Sequence, residues 1–273
     1  GVTGPSGFEL DLGVLDSPWD VPNMRLETCE AIAHVRIGWL RSVCNVFHAF
    51  GAGSFVDELA HLKGRDPKEH LLEMIGPPRK IDPADDDAKY TNYGQDLEQH
   101  PIDTSRLSAV VERVADMAGW GRELPDGHGM GIAVHRSFLA YVAAVAEVSV
   151  DEQGKLVVHD IWTCIDAGTV INTDRVHSQM EGAAIFGMSI ALHGEITAKD
   201  GAIVQGNFDT YPVVRMSEIR PSSIHTHIME SGAPPGGVGE PGVPPVAPAI
   251  VNAYFAATGK RVRELPLRNA GGA

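Results

Sequence analysis

Residues 232–242 read Gly-Ala-Pro-Pro-Gly-Gly-Val-Gly-Glu-Pro-Gly, and neither a helix nor a central strand can be carried through them. Proline has no amide hydrogen for a ladder or helix, and glycine loses the most conformational freedom on folding. Five glycines and three prolines surround one ionisable residue, Glu240. Glycine leaves no Cβ in the way of a bulky ligand, and Pro241 restricts Glu240 to extended geometry. An apolar helix expected to begin near Ala247 would add unpaired amides and a positive dipole end. A carboxylate held like this suits a general base. A solvated Pro/Gly linker would show the same spacing.

The remainder has the character of a globular chain. It is 43% apolar and 21% charged, which excludes collagen, low-complexity disorder and coiled coil. With 30 glycines and 18 prolines, tight turns must be abundant. Lys and Arg number 22 against 36 Asp and Glu, a formal net charge of −14. Such a surface argues against nucleic acid and anionic membranes as partners. The most apolar stretch, Ile132 to Val150, is broken by His135, Arg136 and Glu147, so no membrane-spanning helix is expected. Cys29, Cys44 and Cys164 are too widely spaced for a zinc or iron–sulfur ligand set. Cys29 and Cys164 read as buried small hydrophobes. The chain opens GVTGPSG without Met, as one piece of a longer polypeptide would.

Local signals predict a mixed α/β (α+β) fold, changing in character near residue 121 and so dividing into 1–120 and 121–273. Residues 1–54 read as loops and short strands, with one or two strands between Leu26 and Ile37. Ser54 is expected to cap a helix ending before Gly64. Asp66-Pro67-Lys68-Glu69 opens a second helix. Residues 76–103 form a long polar connection, and its Asp85-Asp86-Asp87 run reads as a solvated turn. Thr104 or Ser105 caps a third helix with Leu107, Val110, Val111, Val114 and Met117 on one face. Three strands follow within 129–166. A helix starting at Asn172-Thr173-Asp174 carries a small-residue stripe, Gly182, Ala183, Ala184 and Gly187, which predicts very close packing on its backbone. A hairpin turning at Lys199-Asp200-Gly201, a strand near 223–229 and a last helix closed by Gly259 complete the pattern. His225 and His227 share one strand face, and a packing role is expected over a metal pair, since no third ligand is recognisable. His135 and His177 belong to no motif.

GGVGEPGVPPVAPAIVNAYFAATGKR resembles the C-terminal signature of the molybdenum hydroxylases, the xanthine oxidase and aldehyde oxidase family. Within it, the branch of isoquinoline 1-oxidoreductase beta subunits and bacterial aldehyde dehydrogenase large subunits is most similar. GIAVHRSFLAYVAAVAEVSVD, CIDAGTVINTDRVHSQMEGAAIFGMSIALHGEIT and DGAIVQGNFDTYPVVRM resemble that branch in order and spacing. GWLRSVCNVFHAFGAGSFVDELAHLKGRDPKEHLL does so upstream. The similarity is weakest over 76–120.

The resemblance implies part of a molybdopterin-binding catalytic subunit, with 1–120 and 121–273 as successive portions of it. The implied reaction hydroxylates an aldehyde or an aromatic N-heterocycle with water as oxygen donor. Glu240 matches the Glu of G-x-G-E-P, implied as general base toward a molybdenum-bound hydroxyl. Gln179 matches the Gln of Q-x-E-G, which faces the pterin and the metal's oxygens, and an amide both donates and accepts. Gly182, Gly237, Val238 and Gly239 are implied cofactor-contact positions. Arg41 falls in a loop near the active-site opening, where a guanidinium would orient substrate or bond the cofactor. Cys44 stands where the family has Gly, and Asn45-Val46-Phe47-His48 replaces a more polar run, so Phe47, His48 and Phe50 are expected to shape the pocket. No protein residue is implied as a metal ligand. The cofactor implied is molybdenum-molybdopterin, with a cytosine dinucleotide among the forms it allows. Two-electron chemistry with no iron–sulfur, flavin or nicotinamide motif here implies 2Fe-2S clusters on a partner chain. The remaining portion of the molybdopterin subunit is the other implied partner, with the small-residue stripe at that interface. A second reading, a non-catalytic assembly component, leaves an intact GGVGEPG loop without a purpose.

Overall fold

The computed structural model describes residues 8–29, 37–83, 89–219 and 223–270. Asp85, Asp86 and Asp87, and residues 30–36 of the expected Leu26–Ile37 strands, lie outside them. In chain order the elements are α1 (Phe8–Asp11), α2 (Asn45–Leu62), α3 (Pro67–Ile75), β1 (Lys80–Ile81), β2 (Ile102–Asp103) and α4 (Thr104–Ala118). Then follow β3 (His128–Ser137), β4 (Ala140–Val150), β5 (Leu156–Asp166), α5 (Thr173–Leu192), β6 (Ala198–Lys199), β7 (Ala202–Ile203), β8 (Ile224–Ile228) and α6 (Val246–Thr258).

The main sheet has the order β3-β4-β5-β8, antiparallel except that β8 runs parallel to β5. Alternation along β3 sends Met130, Ile132 and Val134 to one face, where they meet Val56 of α2, Leu71 and Ile75 of α3, and Leu107, Val110, Val111 and Val114 of α4. The opposite face carries α6 and α5, packed on Ala133, Ala144, Ala146, Val148 and Ile161. The result is a three-layer α/β/α arrangement. Residues on both sides of position 120 share one core. Gly131 explains how α6 lies so close to β3: a Cβ there would stand 2.2 Å from Ala253 N and 2.3 Å from Ala249 O.

Most turn and cap chemistry is as expected. Asp66 Oδ1 accepts the Glu69 amide, with Pro67 in the first helical position. Asn172 Oδ1 accepts the Arg175 amide at the start of α5. Asp200 and Gly201 take positive φ in the β6–β7 turn. Four expectations are corrected. The helix expected from Ser54 begins nine residues earlier, at Asn45, and Ser54 is buried inside it. The third helix is capped by Asp103, whose carboxylate accepts the Ser105 amide at 2.9 Å; Thr104 instead receives the Arg79 amide. No strand occurs among the described residues before Lys80. Cys29 is exposed, whereas Cys164 is buried.

A buried polar network ties the loops of 8–29 and 89–100 to the end of β3. Arg136 donates to Asp16 (3.1 Å), Tyr90 Oη (2.8 Å) and Asn92 Oδ1 (2.7 Å). Both charged groups of the Arg136–Asp16 pair are almost fully buried. Burial works against the Arg136 charge, but Tyr90 and Asp16 outweigh it and the guanidinium stays protonated. The network lets Tyr90 and Asn92 of the long polar connection sit against the core with their polar groups paired. His225 stacks on Trp162 and bonds Asp160 at 2.8 Å, and His227 lies beside Arg113, a packing role as expected. No metal-ligand cluster occurs among the described residues.

Two predictions follow from this core. Gly131→Ala would force α6 off the sheet and should cost about 1–3 kcal/mol or more in chemical denaturation. His135 is part-buried, its Nε2–H donating to Asn45 Oδ1 at 2.8 Å, and desolvation, followed by nearby His48 and Arg136, lowers its pKa to about 3. The folded chain therefore keeps this ring neutral while the unfolded chain protonates it below about 6.5, so the unfolded state binds more protons. Stability should fall as pH drops from about 6.5 toward 3, by up to about 1.4 kcal/mol per pH unit from this residue. Denaturation series at several pH values on wild type and His135→Asn test it, because an unchanged slope in the variant excludes this source.

Candidate active site

The Gly/Pro loop is seated by close contacts that only glycine permits. Gly237 N donates to Phe138 O at 2.7 Å, and a Cβ on Gly237 would stand 3.0 Å from Phe138 Cβ. Gly236 N donates to Ala167 O at 2.8 Å. Phe138 and Leu139 form the β3–β4 turn, both at positive φ (50° and 66°), a strained conformation of the kind that gathers at functional sites. Val238 packs its side chain on Ala140, Val142, Ile165, Val176 and Met180. Beyond Glu240 the chain from Pro241 to Ile250 is buried and runs into α6.

The small-residue stripe of α5 has its purpose here. A Cβ on Gly187 would stand 2.6 Å from Val246 Cβ, and one on Gly242 would stand 2.7 Å from Ala183 Cβ. Ala183, Ala184 and Gly187 thus dock α5 against the loop and the start of α6 within this chain, which corrects their expected place at an interface with another portion. Gly182 differs: it is exposed, and only Arg41 Nη1, at 3.9 Å, approaches where its Cβ would stand.

Three of the expected site residues, far apart in sequence, meet beside this loop. Arg41 Nε donates to Gly239 O at 2.7 Å, and Arg41 Nη2 donates to Gln179 Oε1 at 3.0 Å and Gln179 O at 3.3 Å. Its guanidinium also lies 5.8 Å from the centre of the Phe186 ring. Burial lowers the Arg41 pKa, and the facing Glu240 charge raises it in part. Glu240 Oε1 accepts the Ser42 amide at 2.9 Å, and Glu240 O accepts Ser42 Oγ–H at 2.7 Å. Ser42, fully buried, carries no sequence signal beyond its place in the GWLRSVCNVF stretch beside Arg41.

Phe47 and His48 stand apart from this cluster. Phe47 is 61% exposed and meets His48 edge-on, while His48 Nδ1 lies 2.7 Å from Leu12 O. Phe50 packs against the core beneath α6. Cys44 is half-buried, and burial raises its thiol pKa.

The cluster has an open side. No atom lies within 4 Å of a Cβ built on Gly239, and Gly182 is almost as free. A cleft of about 240 Å³ runs along Ser178, Glu181, Gly182 and Ile185. A second open cleft of about 230 Å³ lies at the start of α5, lined by Val170, Asn172, Arg175, Gly236 and Val238 among others. The larger cavity of about 430 Å³, lined by residues 10–26 and 79–83, contains none of these groups. Gln179 Oε1 is engaged by Arg41, and its Nε2 makes no hydrogen bond among the described residues. An available amide donor, a carboxylate and two bare glycine backbones fit the molybdopterin that the resemblance implies.

A family model described as a molybdopterin cofactor-binding domain matches residues 108–220. A membrane-bound aldehyde dehydrogenase (pyrroloquinoline-quinone) of Gluconacetobacter polyoxogenes is 34% identical over 244 residues, 86% of this chain and 29% of its own length. Isoquinoline 1-oxidoreductase subunit beta of Brevundimonas diminuta is 30% identical over 256 residues, 92% of this chain and 29% of its own. The chain therefore spans under a third of these relatives. Among solved structures, the aldehyde oxidoreductase of Desulfovibrio desulfuricans shares the fold, with a TM-score of 0.64 at 14% identity, over 84% of this chain and 40% of that one.

Arg41 is predicted to hold the cluster together. Arg41→Ala leaves the half-buried Gly239 O without its donor and should lower stability by about 0.5–1.5 kcal/mol. Arg41→Lys should restore only part, since an ammonium lacks the planar fork. Equal melting curves for wild type and Arg41→Ala would contradict this.

Proposed function

Because this chain belongs to the molybdenum hydroxylase family, we propose that it forms one wall, the C-terminal portion, of a catalytic subunit that hydroxylates an aldehyde or an aromatic N-heterocycle. The observation that carries this reading is the meeting of Arg41, Gln179 and Glu240 on one open-sided cluster. A molybdopterin, when bound, supplies the two-electron oxidation in which water is the oxygen source. Gln179 and the bare backbone at Gly182 and Gly239 would face that group, Gln179 donating through Nε2. Glu240 acts as general base, taking a proton at Oε2 while Oε1 stays on the Ser42 amide. Arg41 holds Gly239 and Gln179 in register by its hydrogen bonds. Phe47 and His48 would belong to the outer rim of the substrate pocket.

The partners follow from what this wall lacks. Trp39 and Leu40, just before Arg41, are 80% and 52% exposed, as residues covered by another portion of the subunit would be. The electrons would leave through 2Fe-2S clusters on a partner chain, which agrees with relatives named as one subunit of several. No helix of the described residues is long and apolar enough to cross a membrane.

Glu240→Gln keeps the shape of the side chain and removes the base. Turnover per bound molybdenum should fall by about 10²–10⁴. Activity retained within about tenfold would refute the base assignment. Elemental and pterin analysis of the purified complex should find molybdenum with molybdopterin; a quinone with no molybdenum would overturn the reading as a whole.

A further inference from the structure

The backbone around Ser42 is strained, and the strain has an outcome. Ser42 and Val43 are both in the left-handed region, at φ 76° and 53°. That region is uncommon for Ser and a real outlier for a β-branched residue. Each such residue costs on the order of 1–3 kcal/mol and persists only where its surroundings over-determine it. Here they do. The Ser42 amide donates to Glu240 Oε1 at 2.9 Å and its hydroxyl to Glu240 O at 2.7 Å. Ser42 O accepts from the Asn45 amide at 3.2 Å and from Asn45 Nδ2 at 3.1 Å. Asn45 is buried in turn and accepts from His135 Nε2 at 2.8 Å. Every polar atom of Ser42 is used, and two of these four bonds end on Glu240.

We propose that Ser42 is the positioning residue of Glu240: its left-handed turn aims one amide at Oε1, and its hydroxyl locks the Glu240 main chain, so that Oε2 alone is turned to the open side of Gly239. This rests on the reading of Glu240 as the base. An extended Ser42 would point its amide elsewhere, and the carboxylate would be free to rotate between its two oxygens. Arg41 is the charged group facing Glu240. It bonds Gly239 O and Gln179 but neither carboxylate oxygen, so it does not choose between them. Ser42 is the residue that does.

The test uses the cofactor-loaded complex with Ser42→Gly, Ser42→Ala and Ser42→Thr. Glycine adopts the left-handed turn without steric cost, so Ser42→Gly is the variant expected to fold and assemble even where Ser42→Ala does not. Losing the hydroxyl tie should lower kcat/KM per molybdenum by about twofold to tenfold. The carboxylate stretch of Glu240 in the infrared spectrum of oxidised, substrate-free holoenzyme, with Glu240→Gln subtracted, reports the hydrogen bond on Oε1. Ser42→Gly should shift and broaden that band, because the Glu240 main chain that brings Oε1 to the amide is no longer tied by the hydroxyl. Ser42→Thr, which keeps the hydroxyl, should keep the wild-type band even where a β-branched residue in this turn lowers the melting temperature. A Ser42→Gly enzyme with wild-type kcat/KM per molybdenum and a wild-type carboxylate band overturns the proposal, even if molybdenum loading or melting temperature has dropped. An active Glu240→Gln sinks the base reading instead, and the carboxylate band still judges Ser42.

Discussion

Three hydrogen bonds between Arg41-Ser42 and Gly239-Glu240, reaching across 198 residues of chain, are the constraint on which the site depends. A loop of glycine and proline has no internal ladder, and left alone its glycines would sample many backbone states. Those three bonds select one of them. They also bring a guanidinium, a carboxylate and, through Arg41, the Gln179 amide to the same edge of the fold. Two left-handed residues are the local cost of this arrangement, of the size that a handful of well-made buried hydrogen bonds offsets.

The architecture beneath is arranged to make that selection possible. The sheet fixes the β3–β4 turn, whose Phe138 and Leu139 carry the loop at Gly236 and Gly237. Helix α5 presents Ala183 and Gly187 where a larger residue would push the loop and α6 away. Asn45 links Ser42 to His135 on β3, and Arg136, next in sequence, gathers Asp16, Tyr90 and Asn92 behind it. Buried charge of this kind adds little net stability when complete but is costly to break. Its role here is placement: it holds polar segments against the sheet end from which the site is built.

Much of this was legible in the sequence because it rests on short-range chemistry. Asp66-Pro67 and Asn172 announce helix starts, Asp200-Gly201 announces a hairpin, and alternation within 129–166 announces strands. Glu240 stood out because nothing else in its loop can ionise. What escaped depends on tertiary context. The start of α2 at Asn45 has no side-chain cap, so no local signal marks it, and Ser54 looks like a cap only until the buried helix is seen to pass through it. The stripe on α5 foretold close packing correctly but not against what. Ser42 is invisible by type, because serine is common and its left-handed φ is imposed by Glu240 and Asn45, far away and near. Cys29 shows that cysteine's preference for burial is only a tendency.

The most direct measurement is an experimental structure of the purified complex with its cofactor in place. Glu240 should face a molybdenum centre across the open side of Gly239, with Oε1 on the Ser42 amide and Oε2 toward the cofactor. A Glu240 carboxylate directed into bulk solvent, or a cofactor seated on some other face of this chain, would contradict it.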